Sequence, residues 1–278
     1  MKRGEPAISV IVPTHDRRTL LERKLRALEG EEAPFEVVVV ADACTDDTER
    51  FLARYQPGYP LSWATAPGRH VAYARNQGAR MARGDVLLFS DDDMISRPGW
   101  LAKNLALHEV PGRVGISRQV LPPHLKRGAT LSHVAGWWNA VGGSLSLHAD
   151  LFHDVGGYDD AFSEYGGEDA DLGYRLKLAG ARFKFLPDAV VEHWDHGYEE
   201  GLAAKARSAG AANVRVWRKH GAPEVAWALG VHPVLLGAKR ILFSPPLRPI
   251  WGEERYRYEV AYAEGAREAL VEGTAPER

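Results

Sequence analysis

The sequence has a single cysteine, no excess of charge of either sign and no internal repeat. Because Cys44 has no partner in the chain, an internal disulfide framework is excluded, which suits a reducing cytosol. The formal net charge is -2, so no global electrostatic attraction to nucleic acid is expected. The first apolar segment breaks at Pro13, His15 and Asp16, and we therefore expect no signal peptide.

Long apolar runs are also lacking. A bilayer span needs about 20 consecutive apolar residues. The most apolar stretch, Val225 to Phe243, is interrupted by His232, Pro233, Lys239 and Arg240. We expect this stretch to contact a membrane surface but not to cross the membrane. The expected location is the cytoplasm, with peripheral attachment to the inner face of the membrane as the alternative.

Short β-branched segments alternate with helix-like segments in the first part of the chain, which indicates a parallel sheet flanked by helices. The predicted strands are 8–14, 35–43, 61–67 and 85–90. The predicted helices are 18–28, one whose capping residue is Thr45 or Asp46, and 70–82, which Gly84 ends. The fold class is therefore α/β and Rossmann-like. The glycine-rich fingerprint GxGxxG and the Walker loop are both absent, so metal ions and basic side chains would have to bind any phosphate.

The second half predicts a strand at 113–121, a short strand and helix within 142–160, and a helix from Glu168 closed by Gly180. The segment 182–197 predicts two strands joined by a Pro-Asp turn. From Glu199 the pattern is mostly helical, and the last helix is predicted from Glu253 to Val271 after a proline-rich break.

Three predicted strands end in aspartate, in the segments PTHD, ADAC and SDDD. The carboxyl ends of parallel strands share one edge, where ligands bind, so we expect Asp16, Asp42 and the triad Asp91–Asp93 to form one polar rim. In an extended segment Asp91 and Asp93 face one way and Asp92 the other. Two carboxylates on one face suit Mg²⁺ or Mn²⁺. A solvated charged turn is the alternative.

The segment GGEDADLGYRL also has two interpretations. Its acids can simply complement the dipole at the start of a helix. Alternatively, Gly167 allows a substrate to approach closely, and a carboxylate beside it acts as general base. Arg69 and Asn76 are candidates for binding a diphosphate, although a surface ion pair is the usual fate of an arginine. Trp138 offers a flat apolar surface for a sugar ring, although core packing is the more common fate of tryptophan.

Together these segments resemble a known family. VIVPTHDR, VVVVADACTDDT, YARNQGARMARGDVLLFSDDDMISRPGWL, GGSLSLHADLFHDVGGYDDAF, GGEDADLGYRLKLAG and VEHW occur in the order typical of the inverting, metal-dependent family 2 glycosyltransferases of the GT-A fold, over about residues 8 to 196. Two departures are that Asp42 lacks an adjacent acid, and that the processivity motif QxxRW is absent.

The resemblance implies roles for individual residues. Asp91 and Asp93 resemble the pair that binds the metal, and His193 resembles a further metal ligand. Asp169 resembles the general base, and Glu168 resembles an acceptor-binding residue. The positions that the resemblance assigns to the donor nucleotide are Pro13, Thr14 and Asp42, with Asp92 near the ribose or the metal. Asp16 is a further candidate for nucleotide binding.

The resemblance further implies transfer of a sugar, with inversion, from a UDP-, GDP- or dTDP-sugar to a sugar, lipid-linked or small-molecule acceptor. It implies Mn²⁺ or Mg²⁺ as cofactor. The expected domains are 1–198, comprising a nucleotide-sugar-binding half 1–98 and an acceptor-binding half 99–198, and a helical extension 199–278. The surface of this extension is a candidate contact for a homodimer. The alternatives are a retaining GT-A enzyme, a nucleotidyltransferase, and a non-catalytic sugar- or nucleotide-binding module.

Overall fold

A mixed sheet of eight strands organises the first part of the chain. The computed structural model describes residues 6–122, 134–162, 165–194 and 201–272. The strand order is β3-β2-β1-β4-β7-β6-β8-β5. The strands are β1 (Ile8–Thr14), β2 (Phe35–Asp42), β3 (Leu61–Ala66), β4 (Val86–Phe89), β5 (Met94–Ser96), β6 (Arg113–Val120), β7 (Leu145–His148) and β8 (Arg182–His193). Strands β1 to β4 pair in parallel, and β7 then pairs antiparallel to β4.

Eleven helices are found in the described residues. They are α1 (Arg18–Ala27), α2 (Thr48–Leu52), α3 (His70–Met81), α4 (Trp100–Leu107), α5 (Ala149–Asp154), α6 (Glu168–Leu178), α7 (Leu202–His220), α8 (Pro223–Ala228), α9 (Pro233–Leu242), α10 (Arg248–Trp251) and α11 (Glu253–Glu272). The predicted α/β class with a helical C-terminal region is confirmed.

The central strands are buried on both faces, as their continuous apolar sequence predicts. Every residue of β1, β2 and β4 is buried. Successive side chains of β1 point to opposite faces, so Val10 and Val12 join one apolar cluster and Ile11 joins the other. On the second face, a Cβ at Gly78 would lie 2.5 Å from the Ile11 side chain, so glycine lets α3 pack close to β1.

Three local predictions are wrong. The segment 182–193 is one strand, because β8 continues past an irregularity in which Ser117 pairs with Leu186 but Arg118 pairs with Val190. Helix α2 begins at Thr48, later than predicted, and the Asp46 carboxylate accepts a hydrogen bond from the Thr48 amide. The short strand β5 directly follows the aspartate triad and was not predicted, because three residues carry too little periodicity.

The chain forms two compact units. The first comprises Met1–Asp160 and Leu172–Asp195, and the second comprises Ala161–Asp171 and His196–Arg278. The predicted domains 1–198 and 199–278 stay a prediction. In the second unit α7 packs on α11 with almost no space between them. A Cβ at Gly210 would lie 2.1 Å from the Tyr262 carbonyl oxygen, and one at Gly265 would lie 2.0 Å from the Arg207 carbonyl oxygen.

Among the described residues, one stretch, Pro223–Leu242 of the second unit, is long and apolar enough to cross a membrane by length and composition alone. By this measure the expectation that no such stretch exists is wrong. The stretch forms two helices, α8 and α9, separated by Leu229–His232. Only 22% of the most apolar part of this stretch is buried within the protein.

Candidate active site

The aspartate triad follows β4 in a tight turn. The Met94 amide donates a hydrogen bond to the Asp91 carbonyl oxygen at 3.1 Å, so the backbone is not extended there. Asp91 pairs with Arg75 at 2.8 Å, whereas Asp92 and Asp93 both pair with Arg17, at 3.4 and 2.7 Å. The prediction that Asp91 and Asp93 share a face opposite to Asp92 is therefore wrong, because it assumed the two-residue period of a strand.

Asp92 points into the protein. Its carboxylate is 3% exposed and accepts a hydrogen bond from the Thr14 hydroxyl at 2.7 Å. Burial raises the pKa of Asp92 to about 7, against the lowering influence of the Thr14 hydrogen bond. Thr14 and Asp92, both predicted to bind nucleotide, thus bind each other and link the ends of β1 and β4; Pro13 is buried within β1.

Asp93 lies beside His193, as the resemblance implied. Pairing of β5 with β8 places His193 opposite Met94, and the His193 Nε2 atom lies 3.5 Å from Asp93 Oδ2. Burial opposes ionisation of Asp93, but the hydrogen bond and charge of His193, with the charge of Arg17, lower its pKa overall. The other oxygen, Oδ1, is buried and has no hydrogen-bond partner among the described residues.

Asp93, Asp91 and His193 carry the ligand types that suit a hard divalent cation, although their ligand atoms do not lie within 4.8 Å of one another in this structure. The buried Asp93 Oδ1 is an acceptor that needs a partner, Asp91 is the most exposed carboxylate of the triad, and carboxylate with imidazole is a suitable ligand set for Mn²⁺. Gly143 leaves space for Asp91, because a Cβ there would lie 2.9 Å from Asp91 Oδ2. Sequence reasoning missed Gly143.

A second acidic group is more compact. Asp16, Cys44 and Asp46 are the one set in the described residues whose ligand atoms all lie within 4.8 Å of one another. The Asp16 carboxylate already accepts hydrogen bonds from the Thr45 amide (2.5 Å), the Thr45 hydroxyl (2.8 Å) and the Asp46 amide (3.1 Å). These bonds lower the pKa of Asp16. This group shows the hydrogen bonding of a turn after β2.

Lys24 is a site residue that the sequence did not reveal. It is completely buried, and its Nζ atom donates to the Ser90 hydroxyl and to the Met94 carbonyl oxygen, each at 2.6 Å. These two residues flank the triad on either side. Burial lowers the pKa of Lys24 to about 7, against the raising influence of Asp91 and Asp93. In sequence, Lys24 resembles any charged residue of an amphipathic helix.

Asp42 and Asn76 each hold a loop. The Asp42 carboxylate accepts hydrogen bonds from the amides of Gly68 (2.7 Å), Arg69 (3.3 Å) and His70 (3.1 Å), before helix α3. Asn76 donates to the Tyr158 carbonyl oxygen and to Asp160, and it accepts from the Tyr158 amide at 2.9 Å. The Arg69 guanidinium lies 5.4 Å from the centre of the Tyr73 ring. Nucleotide binding by these residues stays a prediction.

The predicted acceptor residues begin helix α6. Gly167 has a φ of +97° and packs against Phe162, so a Cβ would be both strained and 2.8 Å from that ring. Glu168 is buried, and Asp169 is partly exposed. Trp138 lies in the first unit; its side chain is 48% exposed and packs edge-on against Trp137.

Asp171, in the first turn of the same helix, is completely buried. Its carboxylate lies 2.8 Å from the His220 Nε2 atom and 2.6 Å from the Lys219 Nζ atom, both at the end of α7. A buried carboxylate needs such partners. Sequence reasoning interpreted Asp171 only as a helix-start acid, because its partners lie in a segment without a recognisable motif.

The sequence profile of glycosyl transferase family 2 matches residues 9–156, more than half of the chain, and a profile described as the N-terminal domain of galactosyltransferase matches residues 123–198. The chain therefore belongs to glycosyl transferase family 2.

Two relatives show the extent of the similarity. Validoxylamine A glucosyltransferase of Streptomyces hygroscopicus subsp. jinggangensis is 30% identical over 81% of this chain and 64% of that protein. Pre-mycofactocin glycosyltransferase of Mycobacterium tuberculosis is 28% identical over 74% of this chain and 46% of that protein. The chain thus spans less than two thirds of either relative.

Two solved structures share the fold. The mannosyltransferase PcManGT from Pyrobaculum calidifontis, in complex with GDP-Man and Mn²⁺, aligns with a TM-score of 0.68 and 21% identity, over 96% of this chain and 88% of that one. TarS 1–349 of S. aureus, in complex with UDP-GlcNAc, aligns with a TM-score of 0.56 and 18% identity, over 97% and 93%. The GT-A fold expected from the resemblance is confirmed.

Proposed function

We propose that this protein transfers a sugar from a nucleoside diphosphate sugar to an acceptor hydroxyl and that it requires a divalent cation. The observation that carries this proposal is the Asp93 carboxylate at the strand-end turn. It is buried beside His193 with one oxygen that lacks a hydrogen-bond partner among the described residues. Membership of family 2 and the nucleotide-sugar complexes of the two similar structures support the same reaction.

Asp93 and His193 would hold the cation, and Asp91 would complete the ligand set by turning from Arg75 toward it. When bound, it would supply positive charge to stabilise the departing nucleoside diphosphate. Arg17 and Arg75 would add positive charge at the same edge, where no glycine-rich loop is present to bind phosphate. Asp91 and Asp93 would thus serve as ligands, while Asp92, buried on Thr14, would keep the turn in place.

Asp169 would act as general base. It would take the proton of the acceptor hydroxyl as the acceptor oxygen forms a bond to the anomeric carbon and the bond from that carbon to the diphosphate oxygen breaks. Attack from the opposite face would invert the configuration. A retaining transferase would not need this base, and a binding module would need neither the base nor the release of diphosphate.

The test is calorimetric binding of UDP-, GDP- and dTDP-sugars with Mn²⁺, with Mg²⁺ or with EDTA. We expect one nucleotide to bind, EDTA to abolish that binding, and Asp93→Asn to weaken it at least about tenfold because a charged ligand is lost. Asp85→Asn is the matched control, because Asp85 is exposed and precedes the same strand. Undiminished donor binding in EDTA would contradict the metal requirement.

The acceptor, a homodimer and the cytoplasmic location stay predictions. The segment 123–133, which lies within the galactosyltransferase-type match, is outside the described residues. A sugar, lipid-linked or small-molecule acceptor is consistent with a hydroxyl nucleophile. Product analysis after incubation with the bound donor and each acceptor class would distinguish them.

A further inference from the structure

Four apolar side chains on the second unit face solvent. Val234 is 63% exposed, Ile241 71%, Leu242 46% and Ile250 70%. We name these four residues the apolar ridge. Exposed apolar side chains scattered singly are normal in soluble proteins, whereas a continuous group indicates an interaction surface.

The ridge is continuous along α9 and α10. Val234 and Ile241 are seven residues apart, which is almost two helical turns, so they lie along one side of α9. The Trp251 indole donates a hydrogen bond to the Leu242 carbonyl oxygen at 2.7 Å, and this contact brings Ile250 beside the end of α9. The opposite side of α9 is occupied, because Leu236 is buried and Lys239 pairs with Glu259 of α11 at 2.7 Å.

Exposed arginines flank the ridge. Arg240 precedes Ile241, Arg248 lies two residues before Ile250, and Arg255 is also exposed. Glu253 pairs with Arg248 and lies 3.8 Å from Arg257, so one carboxylate faces two guanidinium groups. Arginine can extend its charged group along an apolar surface toward a polar boundary.

We propose that the apolar ridge docks this protein on a phospholipid surface that carries anionic headgroups, with α9 and α10 lying in the plane of the interface. A helix with apolar residues outward and arginines beside them binds such a boundary through apolar burial and attraction to anionic lipid. The stretch Pro223–Leu242 has bilayer-like composition, yet the break at Leu229–His232 divides it into two short helices. Both features are consistent with lying on a membrane rather than crossing it.

A second copy of the chain is the competing occupant. In a symmetric dimer the same surface lies on both sides of the contact, so the exposed arginines beside the ridge would place like charge on both copies. Phospholipid phosphates would accept hydrogen bonds from the same arginines. The charges therefore favour lipid.

Co-sedimentation of the full chain with vesicles tests the proposal. We expect binding to phosphatidylcholine vesicles that contain about a third phosphatidylglycerol, and weaker binding to phosphatidylcholine alone. The combined variant Val234→Ser, Ile241→Ser and Ile250→Ser should reduce binding at least about tenfold, and Arg240→Glu should reduce it severalfold. Leu178→Ser is the matched control, because Leu178 is 65% exposed but lies on α6.

The replaced side chains are exposed, so the combined variant should keep the wild-type melting temperature. Failure of the wild type to sediment with either vesicle, or equal sedimentation of the combined variant, would overturn the proposal. Light scattering that shows a wild-type dimer converted to a monomer by the combined variant would assign the ridge to a second copy instead. Because vesicle binding is measured without donor, its outcome is independent of the proposed reaction.

Discussion

Two buried carboxylates, Asp93 of the triad and Asp171 of helix α6, are paired with residues from different parts of the chain. In the triad, Asp93 is paired with Arg17 and His193. Arg17 directly precedes helix α1, and His193 is the last residue of strand β8. At the start of α6, Asp171 is paired with Lys219 and His220, which lie about fifty residues later at the end of another helix. The first arrangement follows from the strand topology, whereas the second depends on a helix that carries no motif.

The difference shows which site features a sequence reveals. Burying a carboxylate is costly unless it is paired, so each group needs its cations wherever the chain supplies them. For the triad the compensating residues belong to recognisable segments. For Asp171 they do not, and the pairing is evident only from the structure.

The largest effect should come from Asp169. Asp169→Asn should lower kcat by roughly 10²- to 10⁴-fold, the usual contribution of a general base, while donor binding changes little. Asp150→Asn is the matched control, because Asp150 is an exposed acid in the first turn of α5. If Asp169→Asn kept most of its kcat in a steady-state assay, Asp169 would be a helix-start acid like Asp150.

A buried histidine without a compensating acid provides the contrast to both groups. His108 is 5% exposed and bonds to Ser146, and its neighbours His148 and Arg113 are also basic. Burial, followed by these neighbours, lowers the pKa of His108 to about 4. The unfolded chain therefore binds more protons between pH 6.5 and 4, and the free energy of unfolding should fall by roughly 3 kcal/mol over this window.

Urea unfolding at several pH values would measure this loss in wild type and in His108→Gln, which has no titrating imidazole. The variant should lose less stability on acidification, although it can be less stable at neutral pH. His153→Gln, which changes an exposed histidine, should follow the wild type. Identical acid sensitivity in His108→Gln and wild type would contradict the assignment.

A substitution of Lys24 tests how strongly the triad depends on the buried ammonium group that holds its two flanking residues. Lys24→Met removes the two hydrogen bonds to Ser90 and Met94, so Mn²⁺ affinity should fall by about 10- to 100-fold, as for other residues that orient metal ligands. Lys103→Met is the matched control, because Lys103 is exposed and donates to a single carbonyl oxygen, that of Asp188. A lower melting temperature with unchanged Mn²⁺ affinity would show that Lys24 only stabilises the fold.

The smallest effect should come from His220. His220→Ala removes a partner of Asp171 and loosens the first turn of α6, so kcat should fall by about tenfold with unchanged donor affinity. His220→Gln should recover part of the activity because the amide can still donate to Asp171. Equal kcat in wild type and His220→Ala would show that the turn carrying Asp169 does not depend on His220.

Most of the sheet could be predicted from sequence, because β1, β2 and β4 are continuous apolar segments between clear turn residues. The positions of the triad after β4 and of His193 at the end of β8 could also be predicted from the motif order, whereas their role as metal ligands stays a prediction. The directions of the three aspartate side chains could not be predicted, because the chain turns between Asp91 and Met94 instead of continuing as an extended strand. Lys24 and Gly143 carry no local signal: each is defined by a contact with a residue distant in sequence.

The glycine contacts between α7 and α11 have a mechanical consequence. Gly210 and Gly265 lie directly against backbone carbonyl groups of the opposite helix. Because no side chain separates the two backbones at these points, a displacement of α11 would be passed to α7. Helix α9 is attached to α11 through Lys239 and Glu259, and the far end of α7 is attached to Asp171 through His220. A continuous series of contacts therefore leads from the apolar ridge through α11 and α7 to the helix turn that contains Asp169.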